Sequence, residues 1–184
     1  MKFSGMFMRG PLSCALALAL TLTLAGGTAQ AAPIDGSTAL SANWATQNGA
    51  DVASSTVFTP HAMTGYIVTV PPAPLTITPT FGPNALTMVG GSDDFAGMPF
   101  TFITADSLDI SNGTAWTFTS DQGDWTTNTF VMDNTNVADG YIDFFLTGTF
   151  TPAGTLSAFD AAAGELRISL NQTGSTLNWT STMN

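Results

Sequence analysis

Few side chains in this 184-residue chain can serve as nucleophile, base or metal ligand, and they form no multi-residue motif. The one imidazole, His61, follows Pro60 in what reads as a loop. A general base needs an orienting carboxylate and a nucleophile or water beside it. A zinc site needs a second nitrogen or a thiolate. His61 is therefore read as a packing or surface histidine. Paired carboxylates could hydrolyse a glycoside if held at a set separation, and Glu165 with Asp143 or Asp160 are the pairs to consider. Against this, Asp121, Asp124, Asp133 and Asp139 stand beside Gly or Asn or in turn-rich stretches, where Asp bonds its own backbone. The chain is expected not to be an enzyme, and no catalytic residue is assigned.

Calcium is the one metal the composition allows, because it takes hard oxygen ligands. Asp133, Asn134, Asn136 and Asp139, with Asp143 just beyond, concentrate such oxygens in a short stretch. The string departs from an EF-hand loop, with Thr135 at the third position and no Glu at the twelfth, so a solvated turn is the competing reading. Asp93-Asp94 is a weaker cluster. No other cofactor is implied. Among the tryptophans, Trp116 and Trp179 alternate with polar residues and read as core. Trp125 lies next to Asp124 at an expected turn, and these two are the candidate sugar-binding residues. Asn112, Asn171 and Asn178 head N-x-T triplets, which matter only in a host that glycosylates exported asparagines.

The elements that must position these residues are strands. Gly65–Val70, Leu75–Thr78, Ala85–Val89, Phe100–Thr104, Leu108–Ile110, Trp116–Thr119, Asn128–Met132, Tyr141–Phe150, Leu166–Leu170 and Leu177–Trp179 alternate or run apolar between turn signals. Thr fits the pleated surface and meets water without a charge. Spacings of roughly 8–12 residues predict an all-β fold, an antiparallel sandwich or jelly roll. Residues 32–55 are expected to be an extended lead-in that Trp44 ties down, and 56–184 a single domain. One helical turn is expected near Ser157–Ala163, and Pro71–Pro83 reads as an edge with a rigid crossing.

Residues 1–31 read as a secretory signal peptide, with a helical apolar stretch. Lys2 and Arg9 precede the apolar Leu12–Leu24, and Ala29-Gln30-Ala31 forms a cleavage site. Cys14 leaves with the signal, so disulfides and thiolate chemistry are excluded. The whole chain carries −10, and without Lys2 and Arg9 it carries −12, set by 13 carboxylates and Arg167. Nucleic acid and anionic membranes are disfavoured as partners. No membrane span is expected after cleavage. The aromatic content argues against disorder.

The segment Tyr141–Thr182 resembles the last strands of bacterial exported proteins of the PEP-CTERM, exosortase-associated kind. The residues that carry the resemblance are Gly148-Thr149-Phe150-Thr151-Pro152, Phe159-Asp160 and Asn171-Gln172-Thr173-Gly174. That family's sorting tail has no counterpart up to Met183-Asn184, which is read as a tail-less, freely secreted relative or a truncated sequence. The resemblance implies an extracellular or outer-surface protein of a Gram-negative bacterium, associated with exopolysaccharide or biofilm matrix. The leading expectation is thus a non-enzymatic, secreted matrix or envelope component. A carbohydrate-binding module with a structural calcium is the alternative. Self-association is also entertained, with the 32–55 segment donating a strand to a neighbour.

Overall fold

The computed structural model describes residues 31–69, 76–111 and 116–184. The signal-peptide reading, the Pro71-Pro72 stop and the Asn112-Gly113 turn fall outside these residues. Among the described residues there are twelve strands: β1 (Thr38–Ser41), β2 (Trp44–Gln47), β3 (Val57–Thr69), β4 (Thr76–Pro83), β5 (Ala85–Val89), β6 (Thr101–Ala105), β7 (Leu108–Asp109), β8 (Thr117–Ser120), β9 (Gly123–Asp133), β10 (Tyr141–Pro152), β11 (Ala162–Thr173) and β12 (Thr176–Met183). The fold is all-β and antiparallel, as expected.

The sheet does not divide into the two stacked layers of a sandwich or jelly roll. Pairing runs β1-β5-β6-β8-β9-β10-β11-β12, and β12 returns to β1 through Thr38↔Met183 to Ser41↔Thr180. Eight strands therefore close into a barrel, which removes their free edges. Sequence alternation cannot separate these outcomes, because an inward/outward alternation serves a barrel and a sandwich equally.

An eight-stranded barrel is just wide enough to be filled by side chains. Leu40, Leu86, Phe118, Phe144, Leu166 and Ile168 point inward and are fully or almost fully buried. Outward positions of β10 and β11 carry Asp143, Thr147, Thr149, Glu165 and Ser169 together with the exposed rings of Tyr141 and Phe145. Two adjustments keep large rings inside. Asn128 bulges out of β9 where the register shifts opposite Thr147 and Gly148, so Trp125 and Thr127 before it and Phe130 after it all face inward. Gly148 and Gly164 face each other across β10 and β11. A Cβ at Gly148 would lie 2.5 Å from Trp125 Cζ2, so the paired glycines make the space this indole occupies.

The lead-in is part of the barrel. β1 lies between β12 and β5 of its own chain, so this part of the segment entertained as a strand donor pairs within its own barrel. Its four residues Thr-Ala-Leu-Ser offer only Leu40 as a large apolar signal, which is why composition hid it. The domain therefore begins near Ala31 and not at residue 56. The helical turn forms slightly early, as a short 3-10 turn at Gly154–Leu156.

β2, β3 and β4 extend the ladder from β12, with β7 alongside β3. The inner face of this side sheet is Ala45, Phe58, Pro60 and Ala62, all buried. Phe58 meets Phe144 of the barrel core at 6.0 Å. Pro60 is accommodated inside a strand, opposite Ala45, so His61 lies in β3 and not in a loop.

Candidate functional site

Trp125 is a barrel residue, 1% exposed, and cannot stack on a sugar. The expectation failed because Asp121-Gln122-Gly123-Asp124 suggested a longer turn than the one formed. β9 starts at Gly123, which puts Asp124 outside and Trp125 inside. The indole N–H of Trp125 donates to Thr127 Oγ1 at 2.9 Å, and that hydroxyl donates to the Trp116 carbonyl at 2.6 Å. Trp179 repeats the device: its N–H meets Ser181 Oγ at 3.2 Å, which donates to the Leu40 carbonyl at 2.8 Å. A hydroxyl two residues after a tryptophan lies on the same strand face. It can therefore satisfy an indole donor that burial would otherwise strand. Asp124 remains exposed, opposite Thr119 and Thr151, with no aromatic surface of Trp125 to accompany it.

The proposed calcium ligands lie along the connection from β9 to β10. Asp133 closes β9 and accepts bonds from Thr135 N at 2.9 Å and Thr135 Oγ1 at 2.6 Å. These bonds hold its carboxyl below the usual carboxylate range. Asn134 and Asn136 accept backbone bonds from Val137 and Asp139 through their carbonyls, and Asp139 ends a 3-10 turn before the left-handed Gly140. Asp143 pairs in register with Asp133, a like-charge juxtaposition that needs relief. Arg167 supplies it, bonding Asp143 Oδ2 at 2.8 Å and standing 5.5 Å from the Phe145 ring centre, while Ser169 donates to Asp143 Oδ1. The Asp143 contact raises the Arg167 pKa further. Among the described residues, no three His, Cys, Asp or Glu side chains come together in a way that could hold a metal.

Of the carboxylates weighed for hydrolysis, Asp143 and Glu165 stand apart. Asp143 faces Ser169 and Glu165 faces Thr147, four residues along the ladder. That is about 13 Å, beyond the roughly 5–9.5 Å that acid/base or acid/nucleophile pairs span. Asp160 lies in the loop that bridges Pro33. The crevice at the barrel mouth, between Ile34, Phe95, Trp125 and Phe150, holds about 70 Å³. Small-molecule sites usually offer about 300–1,000 Å³. Larger shallow depressions of about 450 and 510 Å³ flank Gln172, whose Oε1 accepts from Val52 N at 2.9 Å. Beside it, Gln47 Oε1 is buried without a partner.

The surface with distinctive chemistry is the outer face of the side sheet. Register puts Trp44 opposite His61, His61 opposite Pro83, Met63 opposite Phe81 and Tyr66 opposite Pro79. A bulge at Thr64 keeps Tyr66 on the face of His61 and Met63. The Trp44 and His61 rings are 14° from parallel with centres 5.4 Å apart, and Phe81 lies 5.5 Å from Trp44. Thr46 Oγ1 holds His61 Nε2 at 3.1 Å. Trp44 is 36% exposed, Phe81 45%, Tyr66 54% and Ile77 60%. Tyr66 continues edge-on to Phe102, which packs edge-on with Phe100. The sequence signal was available: β2, β3 and β4 contain no Asp, Glu, Lys or Arg. Reading His61 as a loop residue, and Trp44 as a tether, hid it.

Among the described residues no helix is long and apolar enough to cross a membrane. No family model, curated protein or solved structure matches this chain.

Proposed function

We propose that this protein works by surface association and not by bond-making, as an exported matrix or envelope component of a Gram-negative bacterium. The observation that carries the reading is the uncharged, aromatic outer face of β2, β3 and β4, displayed by a chain that is otherwise strongly acidic. A contiguous exposed apolar patch marks an interaction surface. A side-chain-filled barrel behind it serves as a rigid support. The export signal at residues 1–31 and the resemblance of Tyr141–Thr182 to exosortase-associated exported proteins point the same way.

The test is depletion of purified protein from solution by insoluble biofilm matrix and by envelope fragments. Adsorption that weakens in a Trp44→Ser/Phe81→Ser variant of unchanged Tm supports the reading. Equal adsorption of the variant, or none by either protein, refutes it.

A further inference from the structure

The outer face of the side sheet combines three properties that together specify a partner. Its aromatic planes are fixed in advance. His61 braces the Trp44 indole and is itself held by Thr46, so little side-chain freedom is lost on binding. Its border is hydroxyl and amide: Thr59 Oγ1 meets Ser107 Oγ at 2.8 Å, and Ser107 donates to Asn84 Oδ1 at 2.9 Å. These groups retain lone pairs and donors for further bonds. Finally, no ionic side chain lies in the three strands, while the chain around them has pI ≈ 4.1.

We propose that the Trp44–His61–Phe81 ribbon binds a neutral polysaccharide. The C–H face of a hexose ring is apolar and slightly positive, which suits the negative face of an aromatic ring. Its rim of hydroxyls suits the Thr59–Ser107–Asn84 chain. An acidic polymer would be repelled by the net charge, as would an anionic lipid surface or a second copy of this chain. A run of exposed rings from Trp44 and Phe81 through Tyr66 to Phe102 matches a repeating ligand, because successive weak contacts reinforce one another along a polymer. The inference deepens the surface-association reading by naming what is bound.

The experiment is native affinity electrophoresis of the purified protein through gels containing hydroxyethylcellulose, dextran or galactomannan, with alginate as the acidic counterpart. At least one neutral polymer is expected to retard the protein and alginate is not. Trp44→Ala with Phe81→Ser is expected to weaken retardation by at least about tenfold in apparent Kd. Phe145→Ser, on the barrel exterior beside Arg167, leaves it unchanged. Near-ultraviolet circular dichroism from Trp116, Trp125 and Trp179 confirms that the variants remain folded. Retardation by no neutral polymer, equal retardation by alginate, or retardation that survives the double substitution overturns the proposal. If the double substitution abolishes only a concentration-dependent dimer seen by sedimentation, the proposal also falls, and surface association without a glycan survives it.

Discussion

Thr127→Val replaces a hydroxyl by a methyl of the same shape inside the barrel, and the structure states what that costs. Thr127 Oγ1 accepts from Trp125 Nε1 and donates to the Trp116 carbonyl. The carbonyl keeps a second partner, Thr127 N at 3.3 Å. The indole N–H keeps none. An orphaned buried donor costs about 1–3 kcal/mol, so a loss of about 2 kcal/mol is expected. For a domain of this size each kcal/mol lowers Tm by about 2–4 °C, giving a fall of about 4–8 °C. The assay is urea and thermal unfolding followed by far-ultraviolet circular dichroism, which does not depend on the altered tryptophan environment. Trp125→Phe removes the N–H and adds its own packing cost. In that background Thr127→Val should cost only the bond to Trp116, about 0.5–1 kcal/mol. A coupling energy of roughly 1–2 kcal/mol between the two sites is therefore expected. Additivity within about 0.5 kcal/mol would refute the claim that the hydroxyl is there to satisfy the indole.

Gly148→Ala should destabilise by about 1–3 kcal/mol or more, read as a lower urea midpoint. Trp125→Phe should not fully rescue it, because the Thr126 carbonyl also blocks the new Cβ. Acrylamide should quench only the Trp44 fraction of the fluorescence, and Trp44→Phe should leave the remainder largely unquenched, since the other three indoles are buried. Asp51 accepts from the Ser54 hydroxyl and backbone N–H, which lowers its carboxyl pKa below 3.8. Because the folded value is depressed, this contribution to stability is complete above the unfolded value and lost as pH falls through the folded one. An NMR titration of Ser54→Ala should return the Asp51 carboxyl toward 3.8. Arg167→Gln should lower Tm by exposing the Asp133/Asp143 juxtaposition, and the loss should shrink in high salt.

Strand positions were legible wherever apolar side chains alternate with Thr, as in β5, β6, β8 and β10. The burial of Trp116 and Trp179 followed from the same periodicity. Closure was not legible, because it depends on β1 finding both β5 and β12, and a four-residue strand of small side chains carries almost no local signal. The turn residues before Trp125 misled for a physical reason: Gly123 has φ +148° and packs against Phe150, so it starts a strand where a glycine beside Asp usually continues a turn. Prolines hid the first half of β3, before Gly65, and the second half of β4, after Thr78. Pro79 and Pro83 are tolerated because β4 ends the ladder, and Pro60 because it falls between the stretch of β3 paired with β7 and the stretch paired with β4.

The most direct test of the whole account is hydrogen–deuterium exchange of the protein bound to whichever of hydroxyethylcellulose, dextran or galactomannan retards it, compared with the protein free in solution. Added protection confined to residues 44–47, 59–67 and 77–83 is the predicted footprint. Protection centred on the outer faces of β9, β10 and β11, or at the barrel mouth around Ile34 and Phe95, would contradict it.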